Sequence, residues 1–142
     1  MQRRQFLKSS CNFCLLAGTG FLFNELASCS TAYQIMEANI VDNAIAIPVD
    51  GFAQNPIQFV RPSGWLYDIA VQKKADNTYE ALLLQCTHQN NQLVASGHGY
   101  NCSLHGSRFN QDGTVTKGPA ENALKKYKTS IAENTLVIVL KP

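Results

Sequence analysis

Apolar positions along the chain alternate with polar ones over short stretches, and turn-forming residues separate the stretches. Ile45, Ile47 and Val49 alternate with smaller residues around Pro48, and Ile57-Gln58-Phe59-Val60 forms a second run that ends at Arg61-Pro62-Ser63-Gly64. Trp65, Tyr67, Ile69 and Val71 alternate with Leu66, Asp68 and Ala70, which predicts a strand over Trp65 to Val71. Asp76-Asn77 marks a hairpin turn into Tyr79 to Gln85, where Leu82-Leu83-Leu84 predicts burial on both faces. Gln111-Asp112-Gly113 reads as a tight turn before Val115, and Glu133-Asn134 joins strands over Lys126 to Ile131 and Thr135 to Leu140. A period of two with Gly, Pro, Asn and Asp between the runs is the pattern of half-buried strands. No long stretch repeats at the helical period, so the expectation is an all-β sandwich.

The N-terminal part follows a different pattern. Ser9 to Phe23 is apolar but broken by Asn12 and two glycines, and Asn24-Glu25 end it. At about 15 residues it falls short of the ~20 that span a bilayer, so it reads as the apolar part of a leader. Ahead of it, Arg3-Arg4-Gln5-Phe6-Leu7-Lys8 resembles the twin-arginine export motif of bacteria. Behind it, Leu26-Ala27-Ser28-Cys29 resembles the bacterial lipobox, in which the cysteine receives lipid and becomes the first residue. These resemblances imply a leader over 1–28, a lipidated N-terminus and short polar tether over 29–40, and a folded domain over 41–142. The implied location is the periplasmic or cell-surface face of a bacterial membrane, held by a lipid anchor. An uncleaved N-terminal anchor is the alternative.

Charge adds only an exclusion. Of 12 Lys+Arg and 10 Asp+Glu, the leader holds Arg3, Arg4, Lys8 and Glu25, so the remainder carries no net charge. No basic run interleaved with aromatics is present, and nucleic-acid binding has no support. The Lys125-Lys126 pair with Lys128 reads as the solvated side of a strand. No nucleophile–base pair, phosphate loop or acidic pair supports independent catalysis.

The candidate chemistry lies between Cys86 and Phe109. Cys86-Thr87-His88 is followed, after thirteen residues, by Cys102-Ser103-Leu104-His105 and then Gly106-Ser107. Two thiolates and two imidazoles brought together can hold one tetrahedral zinc or a two-iron cluster. C-x-H, a loop, C-x-x-H-G-S and the downstream Lys117-Gly118-Pro119-Ala120 together resemble the signature of Rieske [2Fe–2S] proteins. The resemblance spans roughly residues 86–120. It implies a Rieske-like antiparallel β-sandwich with two loops at a cluster-binding tip and one [2Fe–2S] cluster. Carried over residue by residue, it implies that Cys86 and Cys102 hold the buried iron and that His88 and His105 hold the outer one. It also implies that Gly118 and Pro119 belong to a loop covering the cluster.

That ligand set has an electrostatic consequence. Two thiolates cancel the +2 of an oxidised two-iron, two-sulfide core, so the site passes from neutral to −1 on reduction. A four-cysteine cluster passes from −2 to −3. The implied potential is therefore high, roughly −150 to +300 mV against about −400 mV for plant-type clusters. The far nitrogens of the imidazoles can face solvent, so electron and proton uptake can couple.

Details within the family signature refine the expectation. Quinol-oxidising members carry a second cysteine in each loop, and those places are Asn91 and Leu104 here, so the disulfide between the loops is absent. Ser107 matches a serine that donates to a bridging sulfide, whereas Phe109 replaces a tyrosine that donates to a cysteine sulfur. Each donor favours the reduced cluster, so one donor instead of two implies an intermediate potential.

The cysteines are then all accounted for: Cys11 and Cys14 lie in the leader, Cys29 takes lipid, and Cys86 and Cys102 hold iron, leaving none for a structural disulfide. His98, flanked by Gly97 and Gly99, reads as a solvated turn residue, and Trp65 reads as a core anchor.

The resemblance implies one-electron transfer by an exported, membrane-tethered carrier, with a cytochrome or larger oxidoreductase subunit, or quinol, as redox partner. The alternative is the Rieske small subunit of a quinol–cytochrome c oxidoreductase or an arsenite-oxidase-type complex. A ferredoxin feeding a ring-hydroxylating oxygenase shares the lack of disulfide, but the export signal opposes it.

Overall fold

The computed structural model describes residues 33–141, and the expected leader, with Arg3 and Arg4, and Cys29 lie outside them. Eleven strands and one short 3-10 helix make up the described chain. The strands are β1 Ile35–Ala38, β2 Ala44–Pro48, β3 Ile57–Pro62, β4 Ile69–Lys73, β5 Tyr79–Leu83, β6 Val94–Ser96, β7 Gly99–Asn101, β8 Arg108–Asn110, β9 Val115–Lys117, β10 Lys126–Ala132 and β11 Thr135–Val139; the helix is Val49–Ala53. No helix among the described residues is long and apolar enough to cross a membrane.

Seven strands form one sheet in the order β1-β3-β4-β5-β10-β11-β2, and four form a second in the order β6-β7-β8-β9. The large sheet curls until its two edges, β1 and β2, come into contact. Right-handed twist accumulated over seven strands drives such curling, and it hides most of the edge groups that an open sheet exposes. All pairings are antiparallel except β1 with β3, where Ile35 stands opposite Phe59 and Ala38 opposite Pro62.

Alternation along the strands divides the interior into two apolar clusters. Ile45, Ile47, Val60, Ile69, Val71, Ala81, Leu83, Leu136 and Ile138 point into the curled sheet. Ala70, Leu82 and Leu84 point the other way and meet Leu93, Tyr100 and Phe109 of the small-sheet region. The three consecutive leucines are thus buried on both faces because the end of β5 lies between two cores. Cys86 and Cys102 belong to the second cluster, so the small sheet is anchored by the same packing that surrounds the two thiols.

Three sequence expectations are corrected here. The tether expected over 29–40 contains β1, whose backbone pairs with β3. Ladder hydrogen bonds and the burial of Ala38 outweigh its weak apolar pattern. The strand expected from Trp65 begins only at Ile69, opposite Val60 of β3. Trp65 and Tyr67 still turn toward the first core and Leu66 faces solvent, which reproduces the alternation without a ladder. Trp65 lies tilted on Tyr127, with ring centroids 6.2 Å apart. The third correction is the small sheet: strands β6 to β8, inside and just after the paired motif, carry no readable alternation because each spans three residues.

The turns fall where expected. Asn77 and Glu133 adopt φ of 61° and 54°, and Gly113 of 84°. His98 is exposed at the tip of the β6–β7 hairpin, as expected of a turn residue.

Candidate metal centre

The first half of the paired motif follows β5. The backbone N–H of Cys86 donates to the Asn91 carbonyl at 2.9 Å, closing Cys86–Asn91 into a compact loop. The second half lies between β7 and β8. There Cys102 N–H donates to the Ser107 carbonyl at 2.9 Å and Gly106 N–H to the Cys102 carbonyl at 3.0 Å. Gly106 takes φ of 77°, a left-handed conformation that glycine adopts without steric cost, and this turns the chain back toward Ser107.

Each loop buries its cysteine and exposes its histidine. Cys86 and Cys102 are 2% and 3% exposed and neither forms a disulfide. His88 and His105 are exposed, with ring centroids 5.3 Å apart and rings nearly perpendicular at 85°. Cys86 and Cys102 share one buried apolar cluster, so the loops bring cysteine to cysteine and imidazole to imidazole.

Burial pushes the Cys102 thiol up, but donors aimed at its sulfur outweigh that effect and hold its pKa below the usual thiol value. Those donors are the backbone N–H groups of His105 and Leu104, the Asn91 amide and the Cys86 thiol. A thiolate ringed by N–H donors is the form that binds metal. The Asn91 Nδ2 stands 3.5 Å from Cys102 Sγ and links the two loops where Asn91 and Leu104 exclude a disulfide.

A third segment laces over both loops. Ser107 is fully buried, and its Oγ accepts from Ala120 N–H at 3.0 Å. Thr87 Oγ1 donates to the Asn122 carbonyl at 2.6 Å. The Gly118–Pro119 stretch just ahead of these ties is exposed, while Ala120 is buried. Phe109, one strand residue after Arg108, is buried with Cys86 and Cys102 and offers no polar group.

The donor set fits a two-iron cluster better than a single ion. Cys86 and Cys102 share one buried cluster, while His88 and His105 stand together on the exposed side with ring centroids 5.3 Å apart. A two-iron centre takes two ligands at each metal, which suits donors sorted into a thiol pair and an imidazole pair. Ser107 supplies a second test. Its oxygen is committed to Ala120, and no protein acceptor among the described residues takes its proton. A fully buried hydroxyl with a free proton calls for an acceptor that the chain does not supply, as a bridging sulfide would.

Beneath the first loop lies a network that the sequence did not reveal. Asp68, 1% exposed, accepts from Arg61 Nε at 2.7 Å and from Gln92 Nε2 at 3.2 Å, while its own N–H donates to Gln92 Oε1 at 3.0 Å. Gln92 follows Asn91 directly, so this network fixes the exit of the first loop. Asp68 and Gln92 are 24 residues apart, and nothing in either neighbourhood signals the contact. For Thr87 the available signal was its position between the two ligand candidates.

Comparisons with known proteins agree with this geometry. The family model described as the Rieske [2Fe-2S] domain matches residues 48–128. No curated protein sequence matches the chain. Among solved structures, the plasma membrane Rieske protein PetC3 from the cyanobacterium Synechocystis PCC 6803 is similar at 21% identity and a TM-score of 0.54, covering 64% of this chain and 93% of that one. A chain from the complex of reduced oxygenase and oxidized ferredoxin in carbazole 1,9a-dioxygenase is similar at 18% identity and a TM-score of 0.52, covering 71% and 96%. A naphthalene 1,2-dioxygenase is similar at 18% identity and a TM-score of 0.56, covering 72% of this chain but only 27% of that one.

Proposed function

Because the chain belongs to the Rieske [2Fe-2S] domain family, which binds one [2Fe–2S] cluster and transfers electrons to redox partner proteins, we propose that Cys86 and Cys102 hold one iron and His88 and His105 the other. The protein then acts as an exported, membrane-tethered one-electron carrier. When bound, the cluster supplies reversible one-electron chemistry.

The residues of the chain divide the remaining work. Cys86 and Cys102 sit in the apolar cluster shared with Leu84, Leu93 and Phe109, which keeps water from the thiolates. His88 and His105 present their outer edges to solvent and form the face through which a partner is reached. Leu104, which directly precedes His105, is 54% exposed, so the contact face combines imidazoles with an apolar side chain. The N–H groups around Cys102 and the Ser107 hydroxyl favour the more negative, reduced form.

The observation that carries this reading is the pairing of two buried, unlinked thiols with two exposed imidazoles on adjacent loops. The test is iron, sulfide and zinc content together with the EPR spectrum of the reduced protein. Two irons and two sulfides per chain with a rhombic signal are expected, and zinc in their place overturns the reading.

Export and tethering rest on Arg3-Arg4 and on Leu26-Ala27-Ser28-Cys29. Folding of the cluster site from three loops brought together supports a route that carries proteins already folded, since the cluster is built in the cytosol. Fractionation of cells expressing the full chain tests this. Arg3→Lys with Arg4→Lys should leave the protein in the cytosol, and Cys29→Ala should release it from membranes. A free carrier also purifies from membranes without a stoichiometric redox subunit, and consistent copurification with one replaces the carrier by a complex.

A further inference from the structure

We propose that Asn91 sets the reduction potential of the centre by donating an amide N–H to Cys102 Sγ across the gap between the two loops. The inference rests on the ligand reading above and extends it to a residue that holds no metal.

The orientation of the amide follows from its neighbours. Asn91 Nδ2 lies 3.1 Å from the Gln92 carbonyl and 3.5 Å from Cys102 Sγ. Both are acceptors, because a carbonyl oxygen has no proton and a metal-bound sulfur is a thiolate. Turning the amide over would set its oxygen against two acceptors, so the NH2 group must face them, one proton to each.

The amide is also held in place. The Asn91 carbonyl accepts from Cys86 N–H at 2.9 Å, which fixes the backbone on one side. On the other side, Gln92 is pinned by Asp68 and by its own donation to the Leu93 carbonyl at 2.9 Å. A side chain placed in this way keeps its distance to the sulfur in both oxidation states.

Sulfur bound to reduced iron carries more negative charge than sulfur bound to oxidised iron. A fixed N–H donor therefore stabilises the reduced form more and raises the potential. With Phe109 offering no donor, Asn91 is the one side-chain amide or hydroxyl seen to reach a cysteine sulfur among the described residues.

The test is a potentiometric titration, read optically and by EPR, of the iron-loaded wild type, Asn91→Leu and Asn91→Asp. Leucine removes the donor at similar size, and aspartate keeps the shape but presents acceptors. Both should lower the potential. For leucine the reduced-to-oxidised ratio at fixed potential should fall about tenfold, which is 59 mV for one electron.

A residue that merely braced the loop would change the melting temperature and leave the potential where it was, and an unmoved or raised potential in a loaded variant overturns the inference. If leucine prevents loading, aspartate decides by the same measurement. Failure of both to load while the apo fold persists makes Asn91 a brace and also overturns it. A wild type without a cluster removes the ligand reading itself, whereas a loaded wild type with unmoved variants removes only the role of Asn91.

Discussion

The hydroxyl oxygen of Ser107 accepts from the backbone N–H of Ala120 at 3.0 Å, joining the Cys102 loop to the Gly118-Pro119 segment. Thr87 and Asn122 make the matching tie from the Cys86 loop. Three segments distant in sequence thereby meet at one tip, and the proton of Ser107 has no protein acceptor among the described residues.

Ser107→Ala should both lower the reduction potential and destabilise the fold. It removes a donor that favours the reduced form and leaves the Ala120 N–H buried without a partner, at about 1–3 kcal/mol. Titration of the loaded protein and urea unfolding of the apo protein measure the two effects separately. A potential equal to wild type would show that the proton of Ser107 does not reach the cluster.

Cys86→Ser, Cys102→Ser and His105→Ala should each abolish cluster binding, since two ligands at each iron leave no reserve. Iron and sulfide content per chain measure the loss. Full content and an unchanged spectrum in His105→Ala would displace that residue from the ligand set.

Phe109→Tyr should raise the potential. Phe109 is buried in the same apolar cluster as Cys86 and Cys102, so a hydroxyl added there can donate to a cysteine sulfur. One added donor corresponds to about a tenfold change in the redox ratio, or ~59 mV. A lowered or unchanged midpoint would place the new hydroxyl elsewhere.

Gly99→Ala should unfold the small sheet. An ideal Cβ at this position would stand 2.1 Å from the Phe109 carbonyl oxygen and 3.1 Å from Asn110 Cα, and both are backbone atoms of the paired strand β8. No side chain can move aside, so the cost should reach about 3 kcal/mol or more. A shift of the urea midpoint together with loss of iron is expected.

Glu80→Gln should change how stability responds to acid. Burial pushes the Glu80 carboxyl up, but hydrogen bonds and charge from Lys126 and Lys74 outweigh it and hold the pKa below the usual value. A carboxyl depressed in the folded state contributes stability above its unfolded pKa and loses it as pH falls through the folded one. The advantage of wild type over the glutamine variant should therefore be complete near neutrality, begin to fall around the ordinary glutamate pKa of about 4.3, and be lost as pH drops through the lower folded value. Unfolding midpoints measured across pH in both proteins provide the comparison.

Most of the large sheet was legible in the chain. Ile45 and Ile47, Ile69 and Val71, and Leu136 and Ile138 show the period of two because each strand has one face against a core. The leucine run announced burial on both sides, and Asp76-Asn77 and Glu133-Asn134 marked the hairpins through residues that accept positive φ. Strand β1 was not legible, because its stability comes from a parallel ladder to β3 more than twenty residues away. The small sheet was hidden for a related reason: three-residue strands such as Gly99–Asn101 are too short to show a period.

The sequence by itself determined the chemistry, since Cys86, His88, Cys102 and His105 with their spacing already named the elements that two thiols and two imidazoles can bind. Residue type is a local property, so this much needs no folding. Tertiary structure alone decided which groups surround those four side chains. Asn91 faces Cys102, Ser107 meets Ala120, and Asp68 holds Gln92, each across 11 to 24 residues of chain. Such contacts arise where the curled sheet and the small sheet bury a common apolar cluster, and no periodicity along one strand records what stands opposite it in another.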